Sequence, residues 1–200
     1  MRDAAEALIV IDMQNDFCPE GSLAVGGGDE IVVGINQLMD DFETIVLTQD
    51  WHPAGHSSFA SSHPGAEPFT LTKMPYGPQM LWPDHCIQGS AGAEFHGDLR
   101  RDRAQMIVRK GFRPAIDSYS AFFENDHLTT TGLAGYLRER SIQALTLVGL
   151  ALDYCVNYSA VDAAGLDFDV TVDYKLSRAI AEDSLKEAVE GMRSAGVQLR

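Results

Sequence analysis

Three side chains that could act together as a nucleophile and its acid–base partners each follow a short apolar run: Asp12, Lys110 and Cys155. Cys155 offers a thiol, Asp12 can accept the thiol proton and return it to a leaving amine, and the Lys110 ammonium favours the thiolate. An unperturbed thiol is only about 3% ionised at pH 7, so Cys155 needs such neighbours. Each residue also has a simpler interpretation: an inert buried cysteine, an aspartate that caps a turn, and a solvated lysine.

The sequence before Cys155 indicates how the thiol could be activated. The apolar run breaks at Gly149, a short turn follows, and a helical pattern begins near Tyr154. The N-terminus of a helix carries partial positive charge and unpaired N–H groups, which favour a thiolate and can bind a developing oxyanion. The sequence therefore predicts that the start of a helix gives the Cys155 thiolate some of the stabilisation that it needs.

A second group of side chains has the chemistry of a metal site. Asp50 and His52 are two residues apart in an extended segment, so both can face one ion. His56 follows four residues later, and His85 lies further along the same region. One carboxylate with two or three imidazoles suits Zn²⁺, Fe²⁺ or Mn²⁺ and leaves positions open for water or substrate. Cys86, next to His85, is a competing soft ligand or an alternative nucleophile.

Aromatic residues occur near these groups in loops rich in Pro, Gly and Ser. Phe17, Trp82 and Tyr119 lie in such loops, outside any periodic pattern. Aromatic side chains usually belong to the core, but in loops beside polar groups they can form the walls of a pocket for a flat ring. We therefore expect these three residues to contact the substrate.

The elements that must position these residues alternate between strands and helices. The predicted strands are 7–11, 44–48, 106–109, 144–148, 168–172 and 197–199, and the predicted helices are 29–41, 130–140, 154–164 and 183–195. This alternation predicts an α/β fold: one doubly wound domain over residues 1–200, with a mainly parallel six-stranded sheet and helices on both faces. Ligands bind such sheets at the carboxyl ends of the strands, so Asp12, Asp50, Lys110 and Cys155 should converge there.

One region does not follow this alternation. Residues 50–97 are rich in Pro, Gly, Ser and His and show neither strand nor helix periodicity. A long irregular stretch within a compact domain usually carries function. We expect a long loop region that holds the metal site.

The composition limits the partners. A formal net charge of -14 argues against nucleic acid or an anionic membrane, but says little about a small neutral substrate. No apolar run approaches the roughly 18 residues of a membrane span. Three cysteines cannot form a closed set of disulfides, which fits a reducing compartment. We therefore expect a cytoplasmic protein that acts on a small molecule.

Four motifs, in order, resemble those of the nicotinamidases, also called pyrazinamidases, a family of isochorismatase-like cysteine hydrolases. The motifs are VIDMQNDF at 10–17, TQDWHP at 48–53, WPDHC at 82–86 and GLALDYCV at 149–156. The resemblance runs from about Leu8 to Val172. Many members have Thr at the position of Leu152, a departure that leaves the implied function intact.

The resemblance implies roles for the residues around the thiol. The Asp–Lys–Cys triad of the family falls on Asp12, Lys110 and Cys155. Its oxyanion hole falls on the backbone N–H groups of Ala151 and Cys155, with a cis peptide between Leu150 and Ala151.

The resemblance also implies the cofactor and the reaction. The metal ligands fall on Asp50, His52 and His85, and His56 matches a histidine that takes part in some members. The implied cofactor is one divalent ion, zinc before iron or manganese, which holds the pyridine nitrogen of nicotinamide. The implied reaction yields nicotinate and ammonia through a cysteine thioester, in NAD salvage, with pyrazinamide as a further substrate and pairing into a homo-oligomer.

Three alternatives remain at this stage. The first is a metal-free N-carbamoyl amine or ureidoacrylate-type amidohydrolase of the same family, against which the three candidate metal ligands argue. An isochorismatase would lack the nucleophile that Cys155 provides. A catalytically silent metal-binding or scaffold protein would not need the triad.

Overall fold

Eight β-strands and four α-helices form the part of the chain that the computed structural model describes, residues 2–200. The strands are β1 (Glu6–Ile11), β2 (Thr44–Asp50), β3 (Leu71–Met74), β4 (Gly77–Met80), β5 (Met106–Lys110), β6 (Ala144–Leu150), β7 (Asp169–Arg178) and β8 (Gln198–Leu199). The helices are α1 (Val32–Leu38), α2 (Leu133–Glu139), α3 (Asn157–Gly165) and α4 (Glu182–Ser194).

Six strands form one parallel sheet in the order β5-β2-β1-β6-β7-β8. The central strand β1 is apolar on both faces because helices cover both. Ile9 and its alternate neighbours pack in one core with side chains of α2, α3 and α4, whereas Leu8 and Val10 pack in the other core with α1. The predicted α/β, doubly wound single domain is confirmed, and the strand order reverses between β1 and β6, where such sheets bind ligands.

Several elements differ from the prediction: for example, β7 runs to Arg178 rather than to residue 172, and α2 begins at Leu133 rather than at residue 130. The region 50–97 contains an antiparallel hairpin, β3–β4, whose strands are separated by Pro75 and Tyr76. The helix expected from residue 29 begins at Val32 and ends in a 3-10 turn, Met39–Asp41. Within residues 2–200, no helix has the length and the apolar character that crossing a membrane requires.

Candidate active site

The carboxyl ends of four neighbouring strands bring the predicted triad together. Asp12 directly follows β1, Asp50 and Lys110 end β2 and β5, and Cys155 follows β6. The Lys110 ammonium is the centre of the group. Its Nζ lies 2.8 Å from Asp12 Oδ2, 3.0 Å from Asp50 Oδ1 and 3.5 Å from Cys155 Sγ.

Lys110 is a buried cation. Its Nζ also donates to the backbone oxygen of Ser118 at 3.0 Å, and its side chain is inaccessible to solvent. Burial opposes the charge, but the carboxylates of Asp12 and Asp50 outweigh it and raise the pKa of Lys110 well above its usual value. The ammonium is therefore a fixed counter-charge for both acids.

Asp12 is held with one oxygen facing this ammonium. The Thr48 hydroxyl donates to Asp12 Oδ1 at 2.6 Å and accepts the Asp12 N–H at 3.1 Å. Burial raises the pKa of Asp12, the Lys110 charge opposes the rise, and Asp50 adds to it. A carboxylate with a raised pKa is a better proton acceptor than one in water.

The surroundings of the Cys155 thiol disfavour the thiolate. Burial raises its pKa well above the usual value, Lys110 opposes this, and the nearby Asp12 and Asp50 carboxylates reinforce it. Lys110 favours the thiolate as predicted, but desolvation and the two acids outweigh this one ammonium. The thiol needs an acceptor for its proton during attack, and Asp12, one of the acids that raise its pKa, is the candidate.

The backbone before Cys155 forms a tight turn. The peptide between Leu150 and Ala151 is cis, as the resemblance implies. A five-residue π-helical turn, Leu152–Val156, follows and leads directly into α3. The N–H groups of Tyr154 and Val156 both donate to the Ala151 carbonyl at 3.1 Å, which fixes the turn. Cys155 therefore lies at the start of a helical segment, as predicted.

Three buried side chains form a group with the chemistry of a metal site. The ligand atoms of Asp50, His52 and His85 all lie within 4.8 Å of one another. Nε2 of His52 is 3.2 Å from Asp50 Oδ2, and Nε2 of His85 is 3.4 Å from the same oxygen. Asp50 therefore faces Lys110 with one oxygen and both imidazoles with the other.

Hydrogen bonds orient both imidazoles for ligation. His52 Nδ1 lies 2.9 Å from the Gly111 carbonyl, and His85 Nδ1 lies 2.8 Å from the Pro83 carbonyl. Each Nδ1–H donates to its carbonyl, so each Nε2 is left as the ligand atom. Although burial opposes the charge, Asp50 raises the pKa of His52 to about 8. A carboxylate and two oriented imidazoles fit a divalent transition-metal ion.

His56 has different partners. Its Nδ1 lies 2.7 Å from the Ser58 hydroxyl, and its Nε2 lies 2.8 Å from the Arg113 carbonyl. Its ligand atoms group with those of His52 and Asp117, not with those of Asp50 and His85, among the residues described. Direct ligation by His56 stays a prediction.

Gly111 gives the first testable prediction, because a side chain there would displace His52. Gly111 has φ +66°, and a Cβ would lie 2.5 Å from His52 Cε1 and 2.8 Å from its Nδ1. We expect Gly111→Ala to weaken metal binding by about 10- to 100-fold, the usual effect of disturbing the support of a ligand. The measurement is metal affinity by competition with a chromophoric chelator.

Gly65→Ala is the matched control for this substitution. Gly65 also has a positive φ, +78°, but a Cβ there would meet nothing within 4 Å. Both variants therefore carry the backbone cost of a left-handed alanine, and only Gly111→Ala disturbs His52. Equal metal affinities for the two variants would contradict this account of Gly111.

A cavity opens beside the thiol and the metal-site group. It has an empty volume of about 330 Å³, and both Cys155 and His85 line it. The three predicted aromatic residues, Phe17, Trp82 and Tyr119, all lie on its wall. The wall also includes residues that were not predicted to contact the substrate: Leu23, Asp117, Tyr154 and Ile180.

Only Tyr154 among these four residues had a usable sequence signal, because it precedes Cys155 directly. Its ring lies 4.8 Å from the Trp82 ring, nearly perpendicular to it. The Trp82 and Tyr119 rings are 6.2 Å apart in a similar arrangement. These edge-to-face contacts form an aromatic wall for a flat ligand.

Known proteins of one family are similar to this chain. The isochorismatase domain family matches residues 6–200. A nicotinamidase from Acinetobacter baylyi is 54% identical over 195 residues, which cover 96% of this chain and 90% of that protein. A nicotinamidase/pyrazinamidase structure from Acinetobacter baumanii has a TM-score of 0.98 and 50% identity, and the match covers 100% of this chain and 97% of that one.

A metal-bound structure also matches. It is the pyrazinamidase of Pyrococcus horikoshii in complex with zinc, with a TM-score of 0.79 and 34% identity over 98% of both chains. The chain belongs to the isochorismatase family and, within it, groups with the nicotinamidases.

Proposed function

We propose that this chain hydrolyses the carboxamide of nicotinamide to nicotinate and ammonia through a thioester on Cys155. The observation that carries the proposal is the position of Asp50 between two groups. One of its oxygens contacts Lys110, which adjoins the thiol, and the other faces both imidazoles of the metal-site group. Amide cleavage and ring binding are thus joined at one cavity, and the activity named for the relatives supports the same conclusion.

The metal-site group would hold one divalent ion, for which we propose zinc. Asp50, His52 and His85 are the proposed ligands, and the zinc complex of the Pyrococcus relative supports this choice of ion. The ion would supply a Lewis-acid position for the pyridine nitrogen and so orient the ring. Phe17, Trp82 and Tyr119 would enclose that ring.

The first half of the reaction uses the triad. Cys155 Sγ attacks the carboxamide carbon while Asp12 takes the thiol proton, and the Lys110 ammonium stabilises the negative charge that develops at sulfur. The N–H groups of Ala151 and Cys155 are the proposed oxyanion hole, in which each donor is worth about 3 kcal/mol. Attack converts the neutral thiol and the amide into a tetrahedral intermediate.

The second half returns the enzyme to its starting state. The C–N bond breaks, ammonia leaves with the proton held by Asp12, and a thioester remains on Cys155. Water then attacks the thioester carbon while Asp12 accepts the proton of that water. The C–S bond breaks, Asp12 returns the proton to the Cys155 sulfur, and nicotinic acid leaves and ionises to nicotinate. Pyrazinamide also carries a carboxamide on a nitrogen heterocycle, so we propose it as a second substrate.

Ammonia release from nicotinamide, with and without a strong chelator, tests this proposal. We expect activity in the zinc-loaded protein, loss of activity after chelation, and recovery when zinc is returned. Ammonia release that is unchanged by the chelator would favour the metal-free N-carbamoyl amine or ureidoacrylate-type hydrolases over a metal-dependent enzyme. An absence of ammonia release from the zinc-loaded protein would refute the proposed reaction.

Three broader expectations stay predictions: a role in NAD salvage, a cytoplasmic location and self-association. Growth on nicotinamide as pyridine source, in a host that lacks the activity, tests the first. Fractionation of the native host and light scattering of the purified chain test the others.

A further inference from the structure

The hairpin β3–β4 has a polar side chain where an apolar anchor would be expected. A two-stranded hairpin is marginally stable unless it packs on the rest of the protein. Gln79 is its only buried side chain, with 1% exposure, whereas the other hairpin residues are half-buried or exposed. Burying an amide is unfavourable unless its hydrogen bonds are made, so the position requires an explanation.

Gln79 uses both ends of its amide. Its Nε2 lies 2.7 Å from the Tyr119 hydroxyl oxygen, 2.8 Å from the Met80 carbonyl and 2.9 Å from Asp117 Oδ2, so these three acceptors share its two hydrogens. Its Oε1 accepts from Asn125 Nδ2 at 3.0 Å and from the Tyr76 hydroxyl at 3.2 Å. A carboxylate can only accept, so Asp117 determines which end of the amide is the donor.

These bonds connect the hairpin to the aromatic wall. The Tyr119 hydroxyl accepts from Gln79 and also from Trp82 Nε1, at 3.1 Å. Both rings line the cavity that contains Cys155, whereas Gln79 is not among the lining residues. One hydroxyl, held by Gln79, therefore fixes the relative orientation of two ring walls.

We propose that Gln79 is a positioning residue for the substrate ring, acting through the Tyr119 hydroxyl. The inference rests on the proposed function, because the rings of Trp82 and Tyr119 are the proposed walls for the pyridine. Loss of the Gln79 amide should therefore loosen ring binding. Bond cleavage at Cys155 should change little, because the Gln79 side chain bonds to no member of the triad.

A double-mutant cycle in the zinc-loaded enzyme tests this inference. We expect Gln79→Met and Tyr119→Phe each to raise KM for nicotinamide by about tenfold, as for one lost buried hydrogen bond. kcat and zinc content should stay close to those of the unchanged enzyme. If Gln79 acts through the hydroxyl, the double variant should exceed the worse single variant by no more than about twofold.

Three results would overturn the inference. The first is a KM about 100-fold higher in the double variant, which would mean that the two substitutions act independently. The others are a fall in kcat at constant KM and an unchanged KM in Gln79→Met. If Gln79→Met does not fold, Gln79→Leu carries the test. It also lacks the donor and adds no charge beside Asp117, so the same rise in KM is expected.

Two further measurements distinguish this inference from a general effect of losing a glutamine and from a failure of the proposed reaction. Gln105→Met is the control for losing a glutamine elsewhere. Gln105 is exposed, and its Oε1 accepts a hydrogen bond from the Ile45 N–H beside β5. The KM of this variant for nicotinamide should be unchanged. The second measurement repeats the double-mutant cycle with the dissociation constant for nicotinate, which calorimetry gives without any turnover. Coupling there, without ammonia release from nicotinamide, would refute the proposed reaction and retain the role of Gln79.

Discussion

Cys155→Ala is expected to lower ammonia release from nicotinamide by about 10⁴-fold or more, as happens when a nucleophile that acts with its neighbours is removed. Asp12 and Lys110 stay in place in this variant, but no atom can form the thioester. Ring binding should persist, because the aromatic wall and the metal-site group do not depend on the sulfur. Steady-state ammonia assays and calorimetric titration with nicotinate measure the two effects separately.

The other two cysteines are the controls. Cys18 and Cys86 are both buried, and burial raises the pKa of each thiol. Neither lines the cavity that contains Cys155. Cys18→Ala and Cys86→Ala should therefore keep most of the activity. Mass spectrometry of acid-quenched enzyme should find a nicotinoyl adduct in both controls and none in Cys155→Ala; comparable ammonia release from Cys155→Ala would refute covalent catalysis by this residue.

The convergence of the site residues could be predicted because it follows from a simple property of parallel sheets. Apolar runs identified the strands, and the side chains after those strands had to meet at one edge. The structure places Asp12, Asp50, Lys110 and Cys155 there. Spacing by two residues likewise brought the side chains of Asp50 and His52 together, because both lie in extended backbone.

Features that depend on tertiary burial could not be predicted in this way. The pKa of Cys155 is raised mainly by desolvation and by charges that follow other strands, so its position at a helix start was not enough to predict it. The hairpin β3–β4 has only four residues in each strand and includes Pro78, so it lacks the alternation that identifies strands. Gln79 therefore had no recognisable role until its partners were located.

Lys110 combines catalytic and structural roles in a way that gives the second large prediction. Its single ammonium contacts two carboxylates, Asp12 at 2.8 Å and Asp50 at 3.0 Å, and all three side chains are buried. Two adjacent negative charges without a cation would be strongly unfavourable in such a site. Stability and catalysis should consequently be lost together when the ammonium is removed.

Lys110→Met is expected to abolish ammonia release and to lower the free energy of unfolding of the metal-stripped protein by about 3–5 kcal/mol, the usual cost of breaking a buried ion pair. Urea unfolding of the metal-stripped protein isolates the ammonium from any charge that a bound ion would supply. Lys186→Met is the matched control, because Lys186 is 3.0 Å from Asp183 but their side chains are 71% and 97% exposed. That change should cost less than about 1 kcal/mol. Equal losses in the free energy of unfolding for the two substitutions would mean that Asp12 or Asp50 is already neutral, and that Lys110 is not their counter-charge.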